Sequence, residues 1–156
     1  MAQQEILHSF EIQAEPGVVW TSLWDIEGMA RCIPGCQSVS TKTPDRSYSA
    51  TVRKKVGPFL VRMELAIEVL ANDAPNSIRV EISGNDLKLK SHIRQLLDIR
   101  LSQGRDSGTA VDIHATLVMN GVLASLGKSL IEMQVRQVLN DFSEAFQAKM
   151  RNGYKV

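Results

Sequence analysis

The sequence predicts an α+β fold in which a curved antiparallel sheet wraps around a long C-terminal helix, with two short helices after the first strand. Three observations predict it. Apolar and polar residues alternate in several runs between residues 6 and 119, turn-forming residues separate these runs, and residues 121–153 keep an apolar stripe at helical spacing. A sheet with one apolar face needs a covering layer, and only the last segment is long enough. We expect residues 1–156 to form one domain.

The first strand and the helix after it are predicted from spacing and from proline. Alternation over residues 6–12 puts one group of side chains on a single face, namely Ile6, His8, Phe10 and Ile12. Pro16 then opens a helix, because proline is tolerated in a first turn. We expect Gly28 to end this helix, with Trp20 and Trp24 one turn apart on a face away from its apolar residues.

The strands that follow supply most of the predicted inward face. Apolar residues keep a period of two in each run, and turn segments lie between the runs at residues 73–76, 84–86 and 104–108. An antiparallel sheet with one dry and one wet face follows. The side chains expected to face inward from these strands include Met63, Leu65, Gln95, Leu97, Ile99 and Leu117.

The C-terminal helix is expected to begin after Asn120-Gly121 and to end near Gly153. Its main apolar stripe follows the helical period and comprises Ile131, Val135, Val138, Leu139, Phe142, Ala145 and Phe146. A second stripe lies well away from the first and comprises Leu123, Leu126, Leu130 and Met133. Three interpretations are open. The loop at Pro34 and the hairpin at residues 57–59 cover this stripe, or it faces a ligand, partner or membrane, or the assumed helix phase is wrong.

Composition narrows the classes of function. The net charge of +1 does not favour binding to nucleic acid, and no aromatic residues that could stack on bases are interleaved with the basic residues. The sequence start lacks a signal-peptide pattern, and no apolar run is long enough for a transmembrane helix. Two cysteines, Cys32 and Cys36, make no disulfide framework. We therefore expect a cytoplasmic protein that does not bind nucleic acid.

Candidate chemistry is sparse. Cys32 and Cys36 have the spacing of half a zinc site, but no second pair accompanies them, so we expect no metal. The inward polar residues are His8 and Gln95, which do not make a catalytic set, so we expect no catalytic residues. The basic residues at 53–55, with Lys88 and Lys90, are either solvated strand ends or a rim that meets an acidic partner or lipid headgroups.

Several short motifs occur in the order found in one family. They are Phe10-Glu11-Ile12 with Pro16, Val19-Trp20, Leu23-Trp24-Asp25, Ile33-Pro34-Gly35-Cys36, Lys55-Val56-Gly57-Pro58 and the segment from Gly121 to Gly127. With these motifs the sequence resembles the carbon monoxide dehydrogenase G-subunit family, a branch of the START-like (helix-grip, polyketide cyclase-like, SRPBCC) superfamily. The proline-glycine-cysteine turn is the most specific of them.

The resemblance implies a non-catalytic accessory protein encoded with molybdenum hydroxylases. Such a protein binds a hydrophobic ligand, an isoprenoid quinone or a lipid, or docks the hydroxylase to the membrane, and it needs no cofactor of its own. Peripheral contact with the inner face of the cell membrane is part of this expectation. Longer relatives carry a tail that can hold a membrane anchor, whereas this sequence ends at Val156. We therefore expect pocket binding or docking without such an anchor.

We expect the ligand cavity between the sheet and the long helix. Its predicted lining comprises His8, Trp20, Trp24, Phe59, Met63, Leu65, Gln95, Leu97, Ile99, Leu117, Leu126, Leu130, Met133 and Phe142. The two tryptophans, the Pro34 loop and the Phe59 hairpin are expected to frame its mouth. The alternative function is a small enzyme of the cyclase or hydratase type that uses an inward His8 as acid or base.

Overall fold

The computed structural model describes residues 2–153. The expectation about a membrane anchor concerns the sequence end at Val156, which lies outside the described residues. A strand and two short helices come first, followed by six strands and a long helix. In chain order these are β1 (Ala2–Ile12), α1 (Pro16–Trp24), α2 (Ile26–Arg31), β2 (Cys36–Thr43), β3 (Ser47–Val56), β4 (Phe59–Asp73), β5 (Ser77–Asp86), β6 (Ser91–Gln103), β7 (Thr109–Asn120) and α3 (Lys128–Gly153). A 3-10 turn, Arg105–Ser107, precedes β7, and a 3-10 helix, Val122–Leu126, precedes α3.

The seven strands form one antiparallel sheet in the order β1-β7-β6-β5-β4-β3-β2. Strands β2 to β7 are consecutive hairpin partners, and β1 returns to pair with β7 along its whole length, Ala2 opposite Met119 and Ile12 opposite Thr109. The predicted α+β fold, a curved antiparallel sheet with a long C-terminal helix, is therefore confirmed.

Helix α3 packs against the first strand, at one edge of the sheet. The predicted main stripe faces the core, since Ile131 and Phe146 are only 2% and 1% exposed. The ring of Phe146 makes edge-on contacts with Phe10 and Phe142, at centroid distances of 6.3 and 6.1 Å. These aromatic contacts hold the C-terminal half of α3 over β1.

The expected end of the first helix at Gly28 was wrong. Helix α1 ends at Trp24, and Asp25 then caps a second helix by accepting a hydrogen bond from the Gly28 backbone N–H at 3.1 Å. Because an aspartate at this position satisfies an N–H that has no partner within the helix, it starts α2 rather than continuing α1. Gly28 lies inside α2.

The expected start of the long helix was also wrong. Leu123 and Leu126 belong to the 3-10 helix, and Gly127, with a φ of +88°, separates it from α3. A positive φ is costly for residues with a side chain but not for glycine, so the chain changes direction there. The second apolar stripe is therefore not one face of a single helix, and its assumed phase was wrong.

A buried carboxylate ties two turns together at one end of the sheet. Asp86, which is 4% exposed, accepts hydrogen bonds from the backbone N–H groups of Arg62 at 2.8 Å and Leu89 at 2.9 Å. Burial by itself raises the pKa of Asp86. The N–H groups of Leu89, Arg62 and Lys88, together with the Lys88 charge, outweigh that effect and leave the pKa below its ordinary value.

Replacing Asp86 by alanine leaves buried N–H groups without an acceptor, so we expect unfolding to become easier by about 1–3 kcal/mol at pH 7. Urea unfolding measures this. Asp112→Ala is the matched control, because that exposed carboxylate accepts only from the Ser9 hydroxyl, and it should change the free energy of unfolding by less than about 0.5 kcal/mol.

The advantage of wild type over Asp86→Asn should depend on pH. Because folding lowers this pKa, the ionised carboxylate contributes fully above the unfolded value of about 3.9. Its contribution is lost as the pH falls through the lower folded value. Equal losses for Asp86→Ala and Asp112→Ala at pH 7 would contradict this role.

Candidate ligand-binding cavity

A cavity of about 260 Å³ lies between the inner face of the sheet, α2 and α3. Strands β3 to β7 form its floor, and the helices with the loop after α2 form its roof. Its volume lies just below the usual range of ligand pockets, roughly 300–1,000 Å³.

The floor is built by the alternation predicted from sequence. Every second residue points into the cavity over residues 61–67 of β4 and 93–99 of β6, as in Met63 and Leu65 or Leu97 and Ile99. Gly84 on β5 is buried between these side chains, and a Cβ built there would lie 2.7 Å from Leu65 Cδ2 and 2.9 Å from Ile93 Cγ2. The absence of a side chain at Gly84 therefore leaves room for the apolar wall.

The roof combines one face of α3 with α2 and the loop that follows it. Helix α3 contributes residues at helical spacing, namely Ile131, Gln134, Val135, Val138, Leu139 and Phe142. Helix α2 contributes Ile26, Met29 and Ala30. These side chains close the cavity on the side opposite the sheet.

The Ile33-Pro34-Gly35-Cys36 turn has a defined geometry at this roof. Ile33 and Pro34 line the cavity. Gly35 has a φ of +81°, and its carbonyl accepts a hydrogen bond from the Arg53 N–H at 3.0 Å. A Cβ at Gly35 would overlap the Arg53 carbonyl oxygen. Glycine is required here by both conformation and contact, and it holds Pro34 over the cavity.

Three polar side chains interrupt the apolar lining: Lys54, Gln95 and Gln134. The hydrogen bonds and ion pairs of residues 2–153 include none made by these side chains. All three can donate hydrogen bonds. The cavity therefore offers a bound molecule a largely apolar wall and a few donor groups.

Seven of the residues predicted for the cavity line it: Met63, Leu65, Gln95, Leu97, Ile99, Leu126 and Phe142. The other seven lie outside the lining: His8, Trp20, Trp24, Phe59, Leu117, Leu130 and Met133. For these seven the predicted lining position is corrected, and the reasons lie in how the helices are placed.

The position of α3 explains His8 and Leu117. Both face inward from β1 and β7, as predicted. Leu117 is 1% exposed and packed in the core, and α3 packs over β1, which carries His8. The His8 ring lies 3.4 Å from the Ser143 hydroxyl on α3 and packs against Phe10. Burial, and secondarily the Arg136 charge, lower the pKa of His8 and so favour its neutral form.

For most of the remaining predicted residues, the face of the helix on which they lie explains why they are outside the lining. Trp20 and Trp24 stack on each other at 5.8 Å between ring centroids, while Leu23 on the inner face of α1 lines the cavity. Leu130 and Met133 lie off the lining face of α3, and Met133 is 58% exposed. The half-buried Phe59 packs against the core, and its neighbour Val61 lines the cavity.

Sequence reasoning missed the contributions of α2, Lys54 and Gln134, whereas it placed the Pro34 loop at the cavity mouth, and Pro34 is part of the lining. The alternation of β3 could have predicted the inward position of Lys54, because Val52, Lys54 and Val56 alternate with exposed Arg53 and Lys55. Gln134 follows Ile131 by three residues, which is also a helical spacing. The contribution of α2 had no such signal, since it depends on where Asp25 starts that helix.

Among residues 2–153, no three His, Cys, Asp or Glu side chains are close enough together to hold a metal ion. The Cys32 thiol donates to the Gly28 carbonyl at 3.5 Å, and burial raises its pKa. No helix in this part of the chain combines the length and apolar character needed to cross a bilayer.

Solved structures share this architecture. A conserved protein from Geobacillus kaustophilus superposes with a TM-score of 0.87 at 19% identity, covering 96% of both chains. A START superfamily protein from Mycobacterium smegmatis gives 0.72 at 10% identity, covering 95% of this chain and 97% of its own. The Zhui aromatase/cyclase from Streptomyces sp. R1128 gives 0.70 at 12% identity, covering 96% and 94%. These likenesses establish a START-like fold.

No curated protein matches the chain in sequence. The sequence model of one family, described as the G subunit of carbon monoxide dehydrogenase (CoxG), matches residues 9–151. This span includes α1, α2, all the strands of the cavity floor and nearly all of α3. The chain belongs to the carbon monoxide dehydrogenase G-subunit (CoxG) family.

Proposed function

We propose that this protein is a non-catalytic accessory protein that binds a hydrophobic small molecule in the cavity between sheet and helix. The observation that carries the proposal is the lining, in which apolar side chains from five strands, three α-helices and the 3-10 helix surround about 260 Å³ with three polar residues among them. Family and fold support the same function. Removing apolar ligand surface from water supplies the driving force, at roughly 25 cal/mol per Å².

The polar groups favour a ligand that carries carbonyl oxygens. Amide N–H groups of Gln95 and Gln134 and the ammonium of Lys54 are donors, and a carbonyl is an acceptor. A quinone ring is flat and apolar with carbonyl oxygens at its edge, so we propose an isoprenoid quinone or a related lipid. At about 260 Å³ the cavity suits the ring, and a long isoprenoid tail would extend out of it.

The proposed protein partner is a molybdenum hydroxylase of the carbon monoxide dehydrogenase type. The family description names a subunit of carbon monoxide dehydrogenase, which supports this assignment. In this role the protein would dock the enzyme at the membrane or present the bound quinone to it.

The enzymatic alternative required His8 inside the cavity with a second catalytic group. His8 instead lies under α3 beside Ser143, and the polar residues of the cavity are two amides and one lysine. Amides do not transfer protons at neutral pH, so the described lining offers no acid–base pair. The geometry favours binding, and we propose no catalytic role for His8.

Filling the cavity should weaken binding of an apolar probe. Leu97→Trp places a larger side chain into the cavity, so the Kd for the fluorescent probe N-phenyl-1-naphthylamine should rise by about tenfold or more, as expected when at least about 1.4 kcal/mol of burial is lost. Leu96→Trp is the matched control, because the adjacent residue has the opposite strand phase and lies outside the lining.

Fluorescence titration of both variants measures this difference, and urea unfolding of the same samples shows that both are folded. Equal affinity of the two variants for the probe would contradict the assignment of the cavity as the binding site.

Removing a polar donor should distinguish ligands with carbonyl oxygens from purely apolar ones. Gln95→Leu keeps the size of the side chain and removes its amide, so binding of a short-tailed quinone should weaken by roughly 2- to 12-fold, the value of about 0.5–1.5 kcal/mol for one hydrogen bond. Binding of the apolar probe should be unchanged or tighter. Unchanged quinone affinity in Gln95→Leu, Gln134→Leu and Lys54→Met would contradict the proposed recognition of carbonyl groups.

A further inference from the structure

Three segments meet at the end of the sheet where β3 turns into β4. We call them together the hairpin end, comprising residues 53–62, 86–90 and 122–128. Asp86 joins the first two by accepting from the Arg62 N–H, and the Ser91 hydroxyl, next to the second, accepts from the Leu123 N–H at 3.0 Å. A Cβ at Gly57 would lie 3.5 Å from Leu126 Cδ2. The hairpin end is therefore one continuous surface.

This surface exposes large aliphatic side chains. Leu87 is 89% exposed, Leu60 is 66% exposed and Val122 is 40% exposed, one on each segment. Single exposed aliphatic residues are ordinary, but a group of them at one end of a molecule marks a contact surface.

The same surface concentrates positive charge. Its three segments contain seven basic residues and one acidic residue, Asp86. Lys54 lines the cavity, and the six exposed basic residues are Arg53, Lys55, Arg62, Lys88, Lys90 and Lys128. Asp86 is buried and bonded to backbone N–H groups. The turns at the opposite end, residues 43–47, 73–77 and 103–109, contain two basic and three acidic residues. Since the whole sequence has a net charge of +1, the charge is strongly polarised.

The hairpin end is also a wall of the ligand cavity. Val56, Leu123 and Leu126 line the cavity from inside, and Lys54 lies on the strand that leads into the turn. A molecule leaving the cavity here would meet exposed aliphatic and basic side chains at the surface.

We propose that the hairpin end docks on an anionic lipid bilayer, with Leu60, Leu87 and Val122 entering the headgroup region and the lysines and arginines contacting the phosphates. Basic side chains next to an anionic leaflet and aliphatic side chains at its boundary are the two components of peripheral membrane binding. The proposal deepens the proposed function, because it places the cavity wall against the source of a membrane-soluble ligand.

Vesicle flotation tests the proposal with the full chain. Wild-type protein should bind phosphatidylcholine vesicles that contain about 30% phosphatidylglycerol, and binding should fall with added salt and with omission of the anionic lipid. The double variant Leu60→Ser/Leu87→Ser should bind at least about tenfold more weakly, and Lys55→Gln/Lys88→Gln should show a similar loss.

Matched controls lie elsewhere on the surface. Leu7→Ser/Leu70→Ser removes leucines that are 69% and 45% exposed, and Lys42→Gln/Arg46→Gln removes exposed basic residues near the opposite end. Both should bind vesicles like wild type. Equal losses in control and hairpin-end variants would overturn the proposal. So would absence of vesicle binding by wild type, which would leave an acidic protein surface as the occupant.

Titration with the apolar probe separates this result from the proposed function. All four double variants change residues outside the cavity lining and should bind the probe like wild type. Failure of wild type to bind the probe would count against ligand binding, whereas failure to bind vesicles counts only against the docking surface.

Discussion

The central constraint on this fold is that one helix is too narrow to cover a seven-stranded sheet. Strands lie about 4.8 Å apart, so the sheet is about 29 Å across between its outer strands, whereas a helix is about 10 Å wide. Helix α3 packs over β1 at one edge, where the aromatic contacts of Phe146 hold it. The inner faces of β3 to β6 need another cover. Helix α2 and the Pro34 turn provide it without filling the space, and the cavity results.

The other features of the site follow from this arrangement. Gly35 holds Pro34 against β3, Gly84 leaves room among the apolar side chains of the floor, and Asp86 fixes the two turns that close one end. The cavity thus depends on small and polar residues outside its own lining. The polar groups inside it, Lys54, Gln95 and Gln134, can orient a ligand but contribute little to the fold.

Strand periodicity predicted the floor of the cavity correctly because side-chain direction in a strand alternates strictly. Met63, Leu65, Gln95, Leu97 and Ile99 were found in this way.

Which strands α3 would cover was not predictable from periodicity, since every inward strand residue looks alike in sequence. His8 and Leu117 are therefore predicted to line the cavity, although His8 packs beside Ser143 of α3 and Leu117 is buried in the core. The helix break at Gly127 likewise altered the phase of Leu123 and Leu126 relative to α3. Within the basic run at 53–55, alternation directs Lys54 inward and its neighbours outward.

Native mass spectrometry of the purified protein, combined with organic extraction and with added short-tailed quinone, tests the central claim most directly. We expect one apolar molecule per chain, either co-purifying and recovered in the extract or taken up from the added quinone. Protein that is empty when purified and takes up no quinone under the same conditions would contradict this claim, and the cavity would then be a packing feature of the core.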